Sequence, residues 1–128
     1  MDNYYDIINN RIHIRSDSIN NQVECVKVLQ YPNVLKSLYT ISENGKVYSI
    51  MNDDYISWGY RGGLPYVNLC CYHESNIGIV ASIEPFFIKD LMAYNYIANA
   101  DNYLERGCKV MYKDGDPRNN NYTNIMYV

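Results

Sequence analysis

The sequence predicts an α+β protein in which small antiparallel β-hairpins precede a helix and a short strand–turn motif. Short β-prone runs separated by turn residues fill the first two thirds of the chain. Asn44-Gly45 lies between two such runs and predicts a tight hairpin, because both residues tolerate positive φ. After residue 85 apolar residues recur every three or four positions, which predicts a helix. The 128 residues fit a single domain.

The first part of the chain, residues 1–37, is β-prone but weakly patterned. Arg11–Arg15 and residues 23–29 are predicted strands with Asn-rich segments between them, and Pro32 breaks the pattern. Apolar residues occupy both faces of residues 23–29, so the spacing does not show which face would be buried. These residues are predicted to form an N-terminal β-rich extension to a domain that spans residues 38–128.

The middle of the chain contains the clearest elements. Two antiparallel strand pairs are predicted, and a helix follows them over roughly residues 86–98. Glu84-Pro85 is predicted to open this helix, because proline in the first turn lacks an N–H that would have no helical partner there. The predicted strand pairs are residues 38–42 with 46–50 and residues 64–72 with 77–83.

The C-terminal segment is read as a polar connection, a short strand and a turn. Residues 99–107 form the connection and Val110–Tyr112 the strand. Residues 113–117 predict a compact turn, since Asp, Gly and Pro each supply a turn-specific backbone preference. The connection and the tip at Asn44-Gly45 are expected to project from opposite ends of the sheet, where exposed loops often carry contacts.

Composition and charge limit the function. The chain is 48% hydrophobic and 20% charged, as is typical of a globular protein, and carries a net charge of −3 with a pI of about 5.2. A domain that depends on phosphate contacts is usually basic. Here the lysines and arginines occur singly, with no run or helical stripe. The sequence therefore argues against non-specific binding of nucleic acid.

Tyrosine is unusually frequent, with 15 residues against one tryptophan and two phenylalanines. Two interpretations stay open. One is AT-rich coding DNA, and the other is an interaction surface, because tyrosine is enriched at interface cores. On the second interpretation Tyr55, Trp58 and Tyr60 are the predicted aromatic anchors, since Trp and Tyr dominate binding hot spots. The alternative for Trp58 is that its ring covers the core.

Cysteine and histidine spacing does not predict a metal site, because there is no Cys-x-x-Cys pair and the histidines lie far from any ligand spacing. No cofactor is predicted. The polar N-terminus is unlike a signal peptide, and no apolar run approaches the roughly 18 residues of a membrane span. The predicted location is the virion or the host cytoplasm, with reduced thiols and no membrane partner. The residues concerned are Cys25, Cys70, Cys71, Cys108, His13 and His73.

Three stretches, in chain order, match a known pattern. Residues 39–49 are similar to Y-x-V-S-x-x-G-x-V-x-S, and Gly59-Tyr60 with residues 66–69 is similar to G-Y-x-x-V-x-L. Residues 109–120, followed by Asn124-Ile125, are similar to V-[ND]-H-x-D-G-N-x-x-N-N followed by N-L. Over residues 38–128 the chain thus resembles the HNH endonucleases of phages and mobile introns, in the group with an N-terminal β-hairpin module. The resemblance implies a degenerate ββα-metal motif that lacks its final helix.

For an active member, the resemblance implies one divalent metal and a histidine base. The metal neutralises charge on the phosphate, while the base takes a proton from water. Tyr112 stands at the histidine's position, and a phenol holds its proton at neutral pH. Met111 stands where the metal-binding Asp or Asn belongs, and its thioether suits Mg²⁺ badly. The degenerate site positions are Lys89, which replaces a helix histidine, Met111, Tyr112, Asn120 and Asn124.

The turn after Tyr112 keeps the Asp, Gly and Asn residues of the family pattern. A calcium loop built on Asp114, Asp116 and Asn119 is one alternative, but the glutamate and the full ligand spacing of an EF-hand are missing. A turn held by Asx hydrogen bonds is therefore predicted, with no metal, and with residues 119–121 as a solvated loop and helix cap.

With base and metal ligand replaced, the chain is predicted not to be an enzyme. Two functions remain open. The favoured one is a non-catalytic structural or protein-interaction component of a phage particle, whose partners are other protein subunits of a viral assembly. The other is a nucleic-acid-binding or regulatory remnant of the endonuclease. It predicts a basic face built from Lys46, Arg61, Lys89, Lys113 and Arg118.

Overall fold

The structure, a computed structural model, describes residues 3–6, 11–15 and 23–128, with side chains from residue 26 onward. Its strands are antiparallel and two short helices accompany them, so the α+β prediction is confirmed. A six-stranded sheet, in which neighbouring strands follow chain order, leads the described chain. Its strands are β1 Asn3–Asp6, β2 Arg11–Arg15, β3 Val23–Val28, β4 Tyr39–Ser42, β5 Val47–Ser49 and β6 Asp54–Tyr55.

The rest of the chain forms a second sheet, two helices and a final hairpin. The second sheet consists of β7 (Gly59–Arg61), β8 (Leu64–Ser75) and β9 (Gly78–Phe87), with β8 in the centre. Helices α1 (Ile88–Tyr96) and α2 (Ala100–Glu105) follow it. In the final hairpin β10 (Val110–Tyr112) pairs with β11 (Ile125–Tyr127), and a 3₁₀ turn, Tyr122–Asn124, precedes β11.

Strand β8 forms backbone hydrogen bonds on both of its sides. On one side, the N–H of Leu35 donates to the carbonyl oxygen of Cys70 at 3.2 Å, and the N–H of Tyr72 donates to the carbonyl oxygen of Asn33 at 2.9 Å. The backbone groups of these two residues therefore point away from β9. Residues directly opposite each other in an antiparallel pair share this alternation, so Ala81 and Ile83 of β9 point away from β8 as well. No described strand pairs with this outer edge of β9.

The predicted helix start at Glu84-Pro85 is wrong, because β9 continues through both residues and α1 begins at Ile88. Pro85 lies opposite Asn68 and belongs to the outward-pointing set. Its missing N–H therefore leaves no hydrogen bond of the β8–β9 ladder unmade. A proline can sit in a strand when it faces a free edge in this way.

Two segments predicted to be exposed loops are structured or buried instead. Helix α2 occupies most of the predicted polar connection and begins after Asn99, whose φ is 64°. At the tip of the β4–β5 hairpin Gly45 is buried, although Asn44 and Lys46 on either side of it are exposed. A Cβ added at Gly45 would lie 2.7 Å from Cγ2 of Ile88 and 3.2 Å from Cβ of Asn120. Gly45 therefore lies against α1 and the β10–β11 loop rather than projecting into solvent.

The main core lies between β4, β5, the inner face of β8, α1 and the β10–β11 hairpin. Leu29 and Val34 belong to the same core, and β3 pairs with β4, so the sheet continues over the predicted boundary between residues 37 and 38. The division predicted at that point, into an extension and a domain, stays a prediction. Among the residues that the structure describes, no helix is long and apolar enough to cross a membrane.

Candidate functional site

Tyr112, at the end of β10, is buried and bonded to the following loop. Its hydroxyl donates to Oδ1 of Asn120 at 2.7 Å, and Nδ2 of Asn120 donates to the carbonyl oxygen of Pro117 at 2.8 Å. Burial, with a smaller contribution from the charge of Asp90, raises the pKa of Tyr112 to about 12. The phenol is therefore protonated at neutral pH and cannot serve as a base there.

Asp114 holds the turn after Tyr112 together. Its two carboxylate oxygens accept from Nδ2 of Asn124 at 2.8 Å, from Nδ2 of Asn119 at 3.1 Å and from the N–H of Asp116 at 2.8 Å. These hydrogen bonds, that from Asp116 first, lower the pKa of Asp114. The carboxylate is thus engaged within the turn, as the Asx interpretation predicts.

Asn120 differs from the prediction of a solvated loop over residues 119–121, because it is buried, and Asn124 is buried as well. Asn124 also accepts, at Oδ1, the N–H of Asp114 at 3.1 Å. Asn121 does act as the predicted cap, since its Oδ1 accepts the N–H of Thr123 at 3.1 Å. The two buried amides therefore shape the loop from inside and do not face solvent.

A pocket of about 430 Å³ opens between the start of α1 and β10. Lys89, Asp90 and the half-exposed Met111 line it, together with two tyrosines. Nζ of Lys89 donates to the carbonyl oxygen of Val110 at 3.3 Å, which places the ammonium group against β10. The tyrosines are Tyr31 and Tyr127.

Asp90 is the carboxyl group of this pocket, and sequence reasoning missed it. Burial raises its pKa, while the nearby charge of Lys89 opposes that rise. Burial is also the main cause of the raised pKa of Tyr31, Tyr112 and Tyr127, and the charge of Asp90 adds to it in each. The hydroxyl of Tyr127 is buried and has no hydrogen-bond partner among the described residues.

The groups at the implied metal positions do not fit a divalent cation of the Mg²⁺ type. A thioether at Met111 is a soft ligand, whereas Mg²⁺ prefers oxygen. The amide of Asn124 is turned inward, since its Oδ1 accepts the N–H of Asp114 and its Nδ2 donates to Asp114 and, at 2.9 Å, to the carbonyl oxygen of Asn119. Across the described parts of the chain, no three His, Cys, Asp or Glu side chains are grouped as metal ligands.

The predicted aromatic anchors differ in their surroundings. Tyr60 is 63% exposed, whereas Trp58 is partly buried and its Nε1–H donates to the carbonyl oxygen of Gly45 at 3.2 Å. Tyr55 meets Tyr48 edge to face, with ring centroids 5.3 Å apart. Trp58 thus packs against the core, and a contact role for Tyr55, Trp58 and Tyr60 stays a prediction.

Three of the predicted basic residues share one end of the molecule. The hairpin tip next to Lys46 is joined to the β10–β11 loop, where Nδ2 of Asn121 donates to Oδ1 of Asn44 at 2.8 Å. That loop carries Lys113 and Arg118, both exposed. Lys46 is exposed as well, whereas the guanidinium group of Arg118 is paired with the carboxylate of Asp116, to whose Oδ1 its Nε donates at 3.1 Å.

The other two predicted basic residues lie elsewhere. The guanidinium group of Arg61 stands over the ring of Tyr66, 4.8 Å from its centroid. Lys89 lines the pocket described above. The five residues thus occupy different structural settings, and a single basic face stays a prediction.

Comparison with known proteins shows which fold this chain resembles. No family model and no curated protein matches the chain. A solved structure of the HNH homing endonuclease I-HmuI matches it with a TM-score of 0.57 and 24% sequence identity. The chain has an HNH-like fold. The match covers 73% of this chain and 47% of that one, so the chain spans about half the length of the enzyme. The sequence resemblance is thereby confirmed as a resemblance of fold.

The prediction that the chain is not an enzyme is wrong, because the matched structure concerns DNA binding and cleavage by an HNH homing endonuclease. That prediction took the replacements at Lys89, Met111 and Tyr112, together with the missing final helix, as sufficient to exclude chemistry. The HNH-like domain, however, carries a carboxyl and an ammonium group, Asp90 and Lys89, in one pocket. The predicted virion role rested on these replacements, the net negative charge, the tyrosine excess and the phage-rich family, and it gains no support from the comparison.

Proposed function

We propose that this HNH-like domain acts on DNA, binding the duplex and cleaving its backbone at the pocket that Lys89 and Asp90 line. The pocket is the observation that carries the proposal. It brings an ammonium group and a carboxyl group together beside Met111, the position that the family resemblance gives to a metal ligand. The likeness of fold to I-HmuI, an enzyme that binds and cleaves DNA, supports DNA as the substrate.

Asp90 is the general base in this proposal. Its carboxylate takes a proton from water as the water oxygen bonds to phosphorus and one phosphorus–oxygen ester bond breaks on the opposite side. The leaving oxygen takes a proton from solvent, and Asp90 then returns its own proton to solvent. A base is most effective when its pKa lies near the working pH. Burial moves the pKa of Asp90 in that direction. Tyr112, with a pKa of about 12, is unsuited to this role.

Lys89 supplies positive charge to the phosphate. Charge that develops on phosphate oxygens is stabilised most by a cation already held in position. The hydrogen bond from Nζ to Val110 holds the ammonium group at the pocket wall. Lys89 therefore acts on the phosphate while Asp90 acts on the water.

Nicking of supercoiled plasmid tests the cleavage step. The wild-type chain is expected to nick the plasmid, and both Asp90→Asn and Lys89→Ala should slow nicking by about 10²- to 10³-fold. Reactions are run with Mg²⁺ and with a chelator, because the implied metal positions are altered. The matched control is Glu105→Gln, which replaces an exposed carboxyl group on α2. No nicking by the wild type, or undiminished nicking by Asp90→Asn, contradicts the proposal.

Binding is measured separately, by fluorescence anisotropy with labelled duplex DNA at several salt concentrations. Affinity should fall as salt rises, and Lys46→Ala or Lys113→Ala should each reduce the salt slope by about 1. Lys36→Ala, an exposed lysine in the turn before β4, serves as control. Asp90→Asn should bind as the wild type does, since the carboxylate contributes to cleavage alone. An affinity that does not depend on salt argues against DNA as the ligand.

A further inference from the structure

The outer edge of β9 presents an unused row of backbone hydrogen-bonding groups. Ile79, Ala81 and Ile83 belong to the set that points away from β8, as shown by the bonds that β8 makes on its far side. Their N–H and C=O groups therefore face outward, and no described strand pairs with them. An edge of this kind is a template for a further strand.

The side chains of the same three residues make one face of β9 apolar. Ile79 is 73% exposed and Ile83 is 66% exposed, with the exposed Ala81 between them. The charged residue of this strand is Glu84, which points to the opposite face. There it is bonded to His73 and accepts the hydroxyl of Ser82 at 2.8 Å. The edge thus lacks the charges that commonly prevent strand pairing.

We propose that β9 pairs antiparallel with β9 of a second copy of this chain, with Ala81 opposite its counterpart on a two-fold axis. This register sets Ile79 of each copy opposite Ile83 of the other. All three pairs are then hydrogen-bonded pairs, because Ile79, Ala81 and Ile83 have outward-facing N–H and C=O groups. The contact is a self-complementary, closed interface of the type that two-fold dimers use.

The limits of the strand favour a second copy over an unrelated peptide. Gly78 begins β9 directly after the turn, and Pro85 lacks the N–H that the next outward pair would need. The free edge is therefore symmetric about Ala81 and confined to three outward residues. A copy of β9 has the same length, the same alternation and the same apolar face. DNA is disfavoured because Gly78–Phe87 contains no lysine or arginine.

Analytical ultracentrifugation of the full chain tests the proposal. The wild type should pass from monomer to dimer between roughly 1 and 500 µM, since so short a contact gives a weak interface. Ile79→Lys with Ile83→Lys places like charges opposite each other in both outer pairs and should shift the dissociation constant at least about tenfold upward. Ile79→Lys with Ile83→Glu places opposite charges there and should retain the dimer.

The two double variants share Ile79→Lys and differ only in the sign of the charge at residue 83, so they test the same register with like and with opposite charges. Met51→Lys, at a 76% exposed position before β6, is the control for a general loss of surface apolarity and should dimerise normally. Circular dichroism checks that each variant is folded. A wild type that stays monomeric throughout, assemblies larger than two copies, or equal dissociation of the two double variants would each overturn the proposed pairing.

Discussion

Tyr112 and Asp90 both retain their protons to higher pH because burial disfavours their charged forms. The consequences differ, since an ordinary phenol already titrates near 10 and an ordinary aspartate near 3.9. A rise takes Tyr112 further from neutral pH and brings Asp90 towards it. At the scale of single residues, the carboxyl is therefore the pocket group that becomes better suited to proton transfer.

Replacing Asp90 by asparagine is expected to stabilise the protein at neutral pH. The folded state holds the proton of Asp90 to higher pH than the unfolded state, so this group loses stability as pH rises through its folded pKa. Asn cannot ionise and avoids that loss. Urea denaturation should show no advantage for Asp90→Asn below about pH 4 and a gain of up to about 1 kcal/mol above the folded pKa.

Glu105→Gln, which alters an exposed carboxyl, should show no such pH-dependent gain. A variant that is more stable yet inactive separates a catalytic role for Asp90 from a structural one. If Asp90→Asn is less stable than the wild type at neutral pH, the carboxylate is stabilising the fold and the assignment of a base is wrong.

Among the elements, those with local signals were predictable from the sequence. Asn44-Gly45 correctly placed the β4–β5 hairpin, and the Asp-Gly turn correctly followed β10. Pro85 gave a wrong helix start, because the direction of its backbone groups becomes clear only from the hydrogen bonds that β8 forms on both of its sides. Helix α2, with six residues, is too short for an apolar period to be visible.

The site was harder to predict, for a related reason. Lys89, Met111 and Tyr112 were found through family spacing, but spacing carries no information about burial. Asp90, next to Lys89, had no distinguishing local signal. Its importance comes from the pocket that α1 and β10 form, which is a long-range contact. Likewise, the bond between Tyr112 and Asn120 depends on how the loop folds back.

The β10–β11 loop depends on Asn124 more than on any cap at its surface. Asn124→Ala removes one acceptor and two donors from a buried position and leaves the N–H of Asp114 and the carbonyl oxygen of Asn119 without that partner. The expected cost is about 2 to 3 kcal/mol in the free energy of unfolding, measured by urea denaturation.

Asn121→Ala provides the comparison within the same loop. Asn121 is partly exposed and caps a single 3₁₀ turn, so its loss should cost about 1 kcal/mol or less. Equal costs for Asn121→Ala and Asn124→Ala would show that the buried amide network does not hold the loop.

For the molecule as a whole, the contact of the six-stranded sheet with α1 and the final hairpin joins the two halves of the described chain; it is called the joint below. Gly45 lies at this joint, with φ of +84° and with Ile88 and Asn120 where a side chain would begin. The absence of a side chain there allows the hairpin tip to enter between two elements that are distant in sequence. The sheet and the pocket-bearing elements are thereby packed in one core.

Gly45→Ala is therefore expected to be far more damaging than Gly62→Ala. Both glycines have positive φ, so each substitution carries a backbone cost of about 1 to 2 kcal/mol. At Gly45 the new Cβ also overlaps Ile88, which should add about 1 to 3 kcal/mol. Thermal or urea unfolding measures the difference. Matching stabilities would mean that the hairpin tip is not packed at this joint.

The same contrast decides where foreign groups can be attached to this protein. In the β7–β8 turn, a Cβ added at Gly62 or Gly63 would have no atom within 4 Å, so a fluorophore or affinity handle grafted there meets open solvent. At Gly45, sequence rules alone would suggest an equally convenient attachment point, yet a group grafted there would push against Ile88 and Asn120 and separate the sheet from the helix. Imaging and pull-down reagents should therefore be built on the former turn.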